Sequence, residues 1–323
     1  MEREKVVQLL RRFGGAGTDA ILEPTSLIFT TPEVDGLIGY RSELKCFVVY
    51  GDPVCASEDM LKLVLAFHHY CKSHHKHIIY VSASYSFATL AMSHVCKALI
   101  KFGEELSYDP SNDPQKHEGS HGRLVRRKVH HAINEGTKVY EYLGDDKQLE
   151  KDIKDVAIAW LKNRKGPQVH TAQVRFFEDP FGKRWFYAKK GNELVGAVML
   201  SRLDAHNGYL LTNLVMTPEA PHGTAELLIV SVFDILRSEG CHFVVSGSAP
   251  TKSLNEIKGF GKLFSCLIRG VYCIVNKLFH LGGHKVFWEK FCPKEESTYL
   301  LFSHPSIGIR DAVSLMRALN VSL

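Results

Sequence analysis

The chain has eight cysteines, but no two of them stand in a C-x-x-C arrangement. Cys46 precedes FVVY and Cys241 precedes HFVV, so they sit in apolar runs. That pattern argues against a disulfide framework or a cysteine zinc site, and it predicts small buried hydrophobes in a reducing compartment. The opening residues, MEREKVVQLLRRFGG, are charged throughout and lack the apolar core of a signal peptide, so the expected location is the cytoplasm. The most apolar segment, LFSCLIRGVYCIVNKLFHLGG (263–283), is interrupted by Arg269, Asn276 and Lys277. A spanning helix needs about 20 predominantly apolar residues and tolerates central charge poorly. A helix lying in a membrane surface, with Lys258, Lys262, Arg269 and Lys277 at the headgroups, suits this segment better. An ordinary core helix suits it equally well. Neither sign of charge dominates: 40 Lys+Arg against 35 Asp+Glu leave +5, which permits a nucleic-acid or anionic-membrane partner without demanding one.

What is present is a layout used twice. At 323 residues, 45% hydrophobic and 23% charged, the chain reads as globular with room for two domains. In the first half, the strand CFVVY (46–50) leads to the loop GDPVCA, a helix from Ser57 to about Lys76 and the strand HIIYVSASY (77–85). In the second, YLLTNLVM (209–216) leads to TPEAPHG, a helix from Thr224 to Glu239 and the strand CHFVVSGSAP (241–250). Matching lengths suggest a duplicated α/β unit. The second copy also has a helix at DIKDVAIAWLKNR (152–164) and a hairpin, KRWFYAKK (183–190) turning at Gly191-Asn192 into ELVGAVMLSRL (193–203). Helix, three-stranded meander, helix, strand is the order of the GNAT acyltransferase fold. The expected architecture is two tandem GNAT-like α/β domains with mixed sheets, 1–147 and 148–323, parted in GDDKQLEK.

Chemistry concentrates in a few segments. APHGTAE (220–226) opens a helix whose N-terminal N–H groups can hold an anion or a developing oxyanion. Gly223 would let a ligand come close, and Glu226 in the first turn either complements the helix dipole or acts as a base. The R/Q-x-x-G-x-G/A loop that cradles acyl-CoA pyrophosphate is missing here. The counterpart loop, GDPVCASED (51–59), carries Asp52 before Pro53. GSHGRLVRRKVHHAINEG (119–136) has no acid before Glu135, and it sets Arg123, Arg126 or Arg127, and His130 on one helix face, with Lys128 among them. Leu124, Val125, Val129, Ala132 and Ile133 would form the buried face. Arginine forks match phosphate oxygens, so this is either a phosphate-docking face or a solvated basic helix. His68, Cys71 and His75 in HHYCKSHHKH share a face as well, but no second motif completes a metal site, and cations suit a helix end.

Taken together, the chain from about residue 45 to 303 resembles the catalytic domain of phosphatidylglycerol lysyltransferases and the freestanding fungal relatives that aminoacylate sterols. The resemblance rests on GDP (51–53), the basic helix closing at Glu135-Gly136, Trp160 with Arg164-Lys165, APHGT (220–224), Ser248-Ala249-Pro250 and FWEKFCPKEESTYL (287–300). It implies transfer of an aminoacyl group from aminoacyl-tRNA, the co-substrate, to a lipid hydroxyl, with no cofactor and no metal. Arg123 and Arg126 occupy the family's basic positions, and Lys290, Phe291, Pro293 and Tyr299 match its C-terminal motif. The implied substrate-binding set is Arg123, Arg126, Arg127, Lys128, Asn213, Gly223, Thr224, Ser248, Lys252 and Tyr299. Glu226, Asp52 and His222 are the candidate bases, and Lys290 is the candidate partner of the oxyanion. The chain departs from the bacterial enzymes at Thr212-Asn213-Leu214-Val215, where they have Asp-Leu-Met-Arg, and at Trp288 and Thr298, which replace a lysine and an arginine. These changes permit an acceptor other than phosphatidylglycerol, such as a sterol. The alternatives are a GNAT N-acyltransferase using acyl-CoA and a catalytically degenerate pair that binds RNA or membrane.

Overall fold

The computed structural model describes residues 2–163, 174–178, 180–279 and 282–321. Helices α1 (Arg3–Phe13) and α2 (Thr18–Ile21) precede the antiparallel strands β1 (Leu27–Thr31), β2 (Val34–Glu43) and β3 (Cys46–Tyr50). β3 is buried at every position, as a strand covered on both faces must be. α3 (Met60–Ser73) turns Leu63, Val64, Phe67 and Cys71 inward and returns the chain to β4 (His77–Ala83), parallel to β3. α4 (Tyr85–His94), capped by the Ser84 hydroxyl, leads to β5 (Ala98–Tyr108). Then come α5 (Gly119–Asn134), β6 (Thr137–Tyr142) and α6 (Lys147–Asn163).

The second copy begins with the meander β7 (Lys183–Lys190), β8 (Glu193–Leu203) and β9 (Gly208–Met216). α7 (Thr224–Ser238) connects it to β10 (Val244–Pro250), parallel to β9. A short β11 (Ile257–Lys258), α8 (Lys262–Phe279), α9 (Gly282–Glu289), β12 (Lys294–Phe302) and α10 (Ile309–Ala318) follow. The expected strand at 241–250 therefore starts at Val244, and the apolar run 263–283 contributes to two helices.

The copies interlock by exchanging strands. The sheet order is β1-β2-β3-β4-β12-β5-β10-β9-β8-β7-β6, with β11 on β5. β5, which follows β4 in the chain, lies against β10, while β12, which follows β10, lies against β4, and β5 and β12 pair with each other at the centre. The result is a mixed α/β protein of two GNAT-like halves on one sheet. Leu106 and Tyr108 of β5 pack with Val125, Phe233, Trp288 and Phe291, so α5, α7 and the end of α9 cover one face there. Ile100, Leu300 and Phe302 pack with Val6, Leu10 and Tyr272, so α1 and α8 cover the other.

Candidate active site

β9 and β10 are hydrogen-bonded only where Tyr209 faces Val244 and Leu210 faces Val245, and beyond that point they part. Both strands bulge at the opening. Asn213 takes a left-handed backbone (φ 51°) where β9 slips against β8, and Gly247 (φ 88°) lies where β10 slips against β5. Bulges turn strands out of a ladder, and here they leave a gap between the halves of the second copy.

On the α7 side of this gap stands a buried ion pair. Lys290 Nζ donates to Glu226 Oε1 at 2.5 Å, with the two residues 8% and 6% exposed. The ammonium also sits 3.9 Å from the centre of the Phe287 ring. Two charges in an apolar shell support each other, and removing either one strands the other. The sequence placed Glu226 and Lys290 64 positions apart as separate candidates; the fold joins them. Glu226 is therefore a charge partner in the interior rather than an exposed carboxylate at a helix start.

The α7 N-terminus is also covered. Thr224 is buried, and its hydroxyl donates to the Pro221 carbonyl at 2.8 Å. Gly223 has φ 96°, and a Cβ there would collide with the Lys128 carbonyl of α5. The space expected to admit a ligand at Gly223 is thus filled by helix backbone. His222 is exposed; its carbonyl lies 3.1 Å from His131 Nδ1.

On α5, Val125, Val129 and Ala132 face inward, Leu124 is half-buried and Ile133 is exposed rather than buried. Arg123, Arg127, His130 and His131 are exposed and Lys128 is half-buried. Arg123, Arg127 and Lys128 have no ion-pair partner among the described residues. Arg126 differs: its guanidinium donates to the carbonyls of Gln115 and His117, pinning the loop before α5.

The opposite face of the gap carries Glu105, which was not among the sequence candidates, beside Asp52, which was. Side chains alternate along β5, so Glu105 points away from Leu106 and Tyr108. It lies opposite Ser248 on one neighbouring strand and Glu296 on the other. Burial first, then the charges of Asp52 and Glu296, push its carboxyl up to about 7. Burial also raises Asp52, against a Ser84 N–H that donates to it at 2.8 Å. The available signal was two acids, Glu104-Glu105, inside an apolar strand. Glu104 and Glu295 both bind Lys285, so Glu105 is left as the raised group.

The remaining candidates are placed as follows. Ser248 Oγ lies 2.7 Å from Thr298 Oγ1, and the Gly103 backbone beside them leaves no room for a side chain. Thr298 is thus absorbed into packing. Trp288 is too, buried 5.8 Å from the Tyr108 ring. Tyr299 is buried 6.3 Å from the Tyr85 ring, and burial raises its phenol. Lys252 is exposed. Trp160 is half-buried against the α6 cluster, and Arg164-Lys165 lie outside the described residues. His68 turns to Tyr80, with its Nε2 3.1 Å from the hydroxyl, and burial lowers it to about 4; Cys71 is in the core. A separate cavity of about 410 Å³ lies at the paired end of β10, lined by Ser107, His117, Phe233, His242, Phe291 and Glu296 among others.

The fold thus brings together a parted strand pair, a buried acid–lysine pair and a basic helix. Residues 15–302 match the model of the phosphatidylglycerol lysyltransferase C-terminal family, and the chain belongs to that family. The fold is similar to the C-terminal domain (DUF2156) of an Agrobacterium fabrum protein, at 18% identity and TM-score 0.77 over 98% of this chain and 95% of that one. It is equally similar to L-PGS from Bacillus licheniformis, at 17% identity and TM-score 0.77 over 98% and 97%. FemX shares the fold at 8% identity and TM-score 0.51 over 93% and 96%. No curated protein matches the chain. Among the described residues, no helix is long and apolar enough to cross a membrane.

Proposed function

We propose that this chain moves an aminoacyl group from aminoacyl-tRNA to a hydroxyl of a membrane lipid, phosphatidylglycerol or a sterol. Family membership supports the reaction class. The observation that carries the reading is the buried Glu226–Lys290 pair beneath a basic helix whose Arg123, Arg127 and Lys128 lack ion-pair partners among the described residues. Phosphates of the acceptor stem dock on α5. The aminoacyl end enters the gap where β9 and β10 part. Glu105, half-ionised near neutrality, takes the proton of the lipid hydroxyl as it attacks the ester carbonyl. Lys290, held in place by Glu226, steadies the oxyanion. The C–O bond to the tRNA ribose then breaks, and that oxygen is reprotonated.

α8 supplies the membrane side. Leu263, Leu267, Val271 and Ile274 are exposed along one stripe, with Lys262 and Lys277 exposed on its flank. This favours a helix lying on an anionic surface. Lys258 pairs with Glu256 and Arg269 donates to the Leu254 carbonyl, and both stay exposed. The acyl-CoA alternative loses support, since α5 covers the helix start where a pyrophosphate would bind.

The test is direct. The protein is mixed with total radiolabelled aminoacyl-tRNA and vesicles of a lipid extract, and labelled lipid is sought. Label that appears in lipid and vanishes after RNase pretreatment supports the reading. Label that never reaches lipid with any aminoacyl-tRNA overturns it.

A further inference from the structure

Two thiols on α8 have no part in the reaction above. Phe264, Ser265, Ile268 and Tyr272 turn toward the fold, and the exposed apolar stripe adjoins that face on the Phe264 side. Positions advance 100° per residue on a helix. Cys266 and Cys273, both exposed, therefore fall beside the stripe, on the side that carries Lys262 and Lys277. Five of the eight cysteines are buried and Cys292 is exposed elsewhere, so two of the three exposed thiols share this side. Seven residues at about 1.5 Å rise set them roughly 10 Å apart, beyond disulfide reach. Each stays an independent thiol.

With the stripe in the acyl region and the lysines at the headgroups, both sulfurs lie between Lys277 and Lys262 around the helix, at headgroup level just beyond the acyl region. A membrane-partitioned long-chain acyl-CoA presents its thioester at that same depth. We propose that Cys266 and Cys273 are S-acylation sites that fix α8 to the bilayer, an inference resting on the membrane-surface reading of α8. Each thiolate attacks the acyl-CoA carbonyl. The new sulfur–acyl bond forms as the bond to the CoA sulfur breaks, the thiol proton passes to the released CoA thiolate, and nothing is oxidised. One acyl chain gives marginal, reversible attachment, whereas two chains, or one with a basic patch, hold a protein at the surface. Acylation thus converts salt-sensitive docking into salt-resistant attachment and keeps the transferase beside its acceptor.

The full chain is incubated with palmitoyl-CoA, with and without phosphatidylcholine–phosphatidylserine vesicles, then followed by intact mass, peptide mapping and flotation. Up to two hydroxylamine-labile palmitoyl groups are expected, on Cys266 and Cys273 but not Cys292, forming roughly tenfold faster with vesicles. The variant C266S/C273S should lose them, and only acylated protein should float at high salt. Equal acylation of Cys292, no acceleration by vesicles, or unchanged salt release after acylation overturns the proposal. If unmodified protein floats yet neither thiol is acylated, the acylation inference falls and the surface reading stands. If it never floats, both fall.

Discussion

The Glu226–Lys290 pair shows how burial sets what one residue can do. A carboxylate at an exposed helix start is worth at most ~1 kcal/mol, but losing one member of a buried pair costs about 3–5 kcal/mol because the other charge is left unpaired. Glu226→Gln alone and Lys290→Met alone should each fall in that range by urea denaturation, while the double variant recovers most of the loss. Equal, additive losses would mean that the two do not act as a pair. Glu105 presents the opposite case, since its carboxyl is raised to about 7 in the fold. Between the ordinary carboxylate range, about 4.3, and about 7, the folded protein holds a proton that the unfolded chain has lost. Stability therefore falls as pH rises through this window, by up to about 3 kcal/mol, and levels off above it. Glu105→Gln should flatten that slope and raise stability at pH 8. The same variant should remove the limb near pH 7 from the transfer rate profile; an unshifted profile would assign the base elsewhere.

At the scale of elements, α5 and α7 act as one unit because Gly223 lets their backbones touch. Gly223→Ala puts a side chain at φ 96° against the Lys128 carbonyl, so it should destabilise by more than ~1 kcal/mol, from backbone strain together with overpacking. A melting temperature matching wild type would refute that packing. Arg126 is a poor probe of RNA binding, because it also holds the Gln115 and His117 carbonyls. Arg123→Glu with Arg127→Glu is the clean test: tRNA affinity should fall at least roughly tenfold, and the slope of log K against log salt should drop by about two. Unchanged binding would leave α5 a solvated basic helix. Much of this was legible in the chain. The hairpin 183–190 and 193–203 follows from its alternation and its Gly191-Asn192 turn, and its strands run over those same residues. The Glu226–Lys290 contact was not legible, because the pairing depends on α9 folding back over α7. Glu105 was hidden for a similar reason: its environment is made by strands 143 and 191 residues further along, through Ser248 and Glu296.

At the scale of the whole molecule, strand exchange explains why the gap between β9 and β10 draws on both copies. β5 belongs to the first copy by sequence, yet it lines the opening of the second through its pairing with β10, and β12 returns the exchange by lying against β4. Duplication supplied two parallel pairs. In the first, β3 and β4 stay paired along all of Cys46–Tyr50, whereas β9 and β10 part after Leu210. The open copy holds the ion pair, and the closed copy contributes Asp52 and Glu105. The claim that the gap transfers an aminoacyl group with Lys290 at the oxyanion is tested most directly by single-turnover transfer from purified aminoacyl-tRNA to lipid vesicles. Wild type is compared with the variant E226Q/K290M, in which no buried charge is left unpaired. The account predicts a folded double variant that transfers at least on the order of 100-fold more slowly. A folded double variant transferring at the wild-type rate would contradict it.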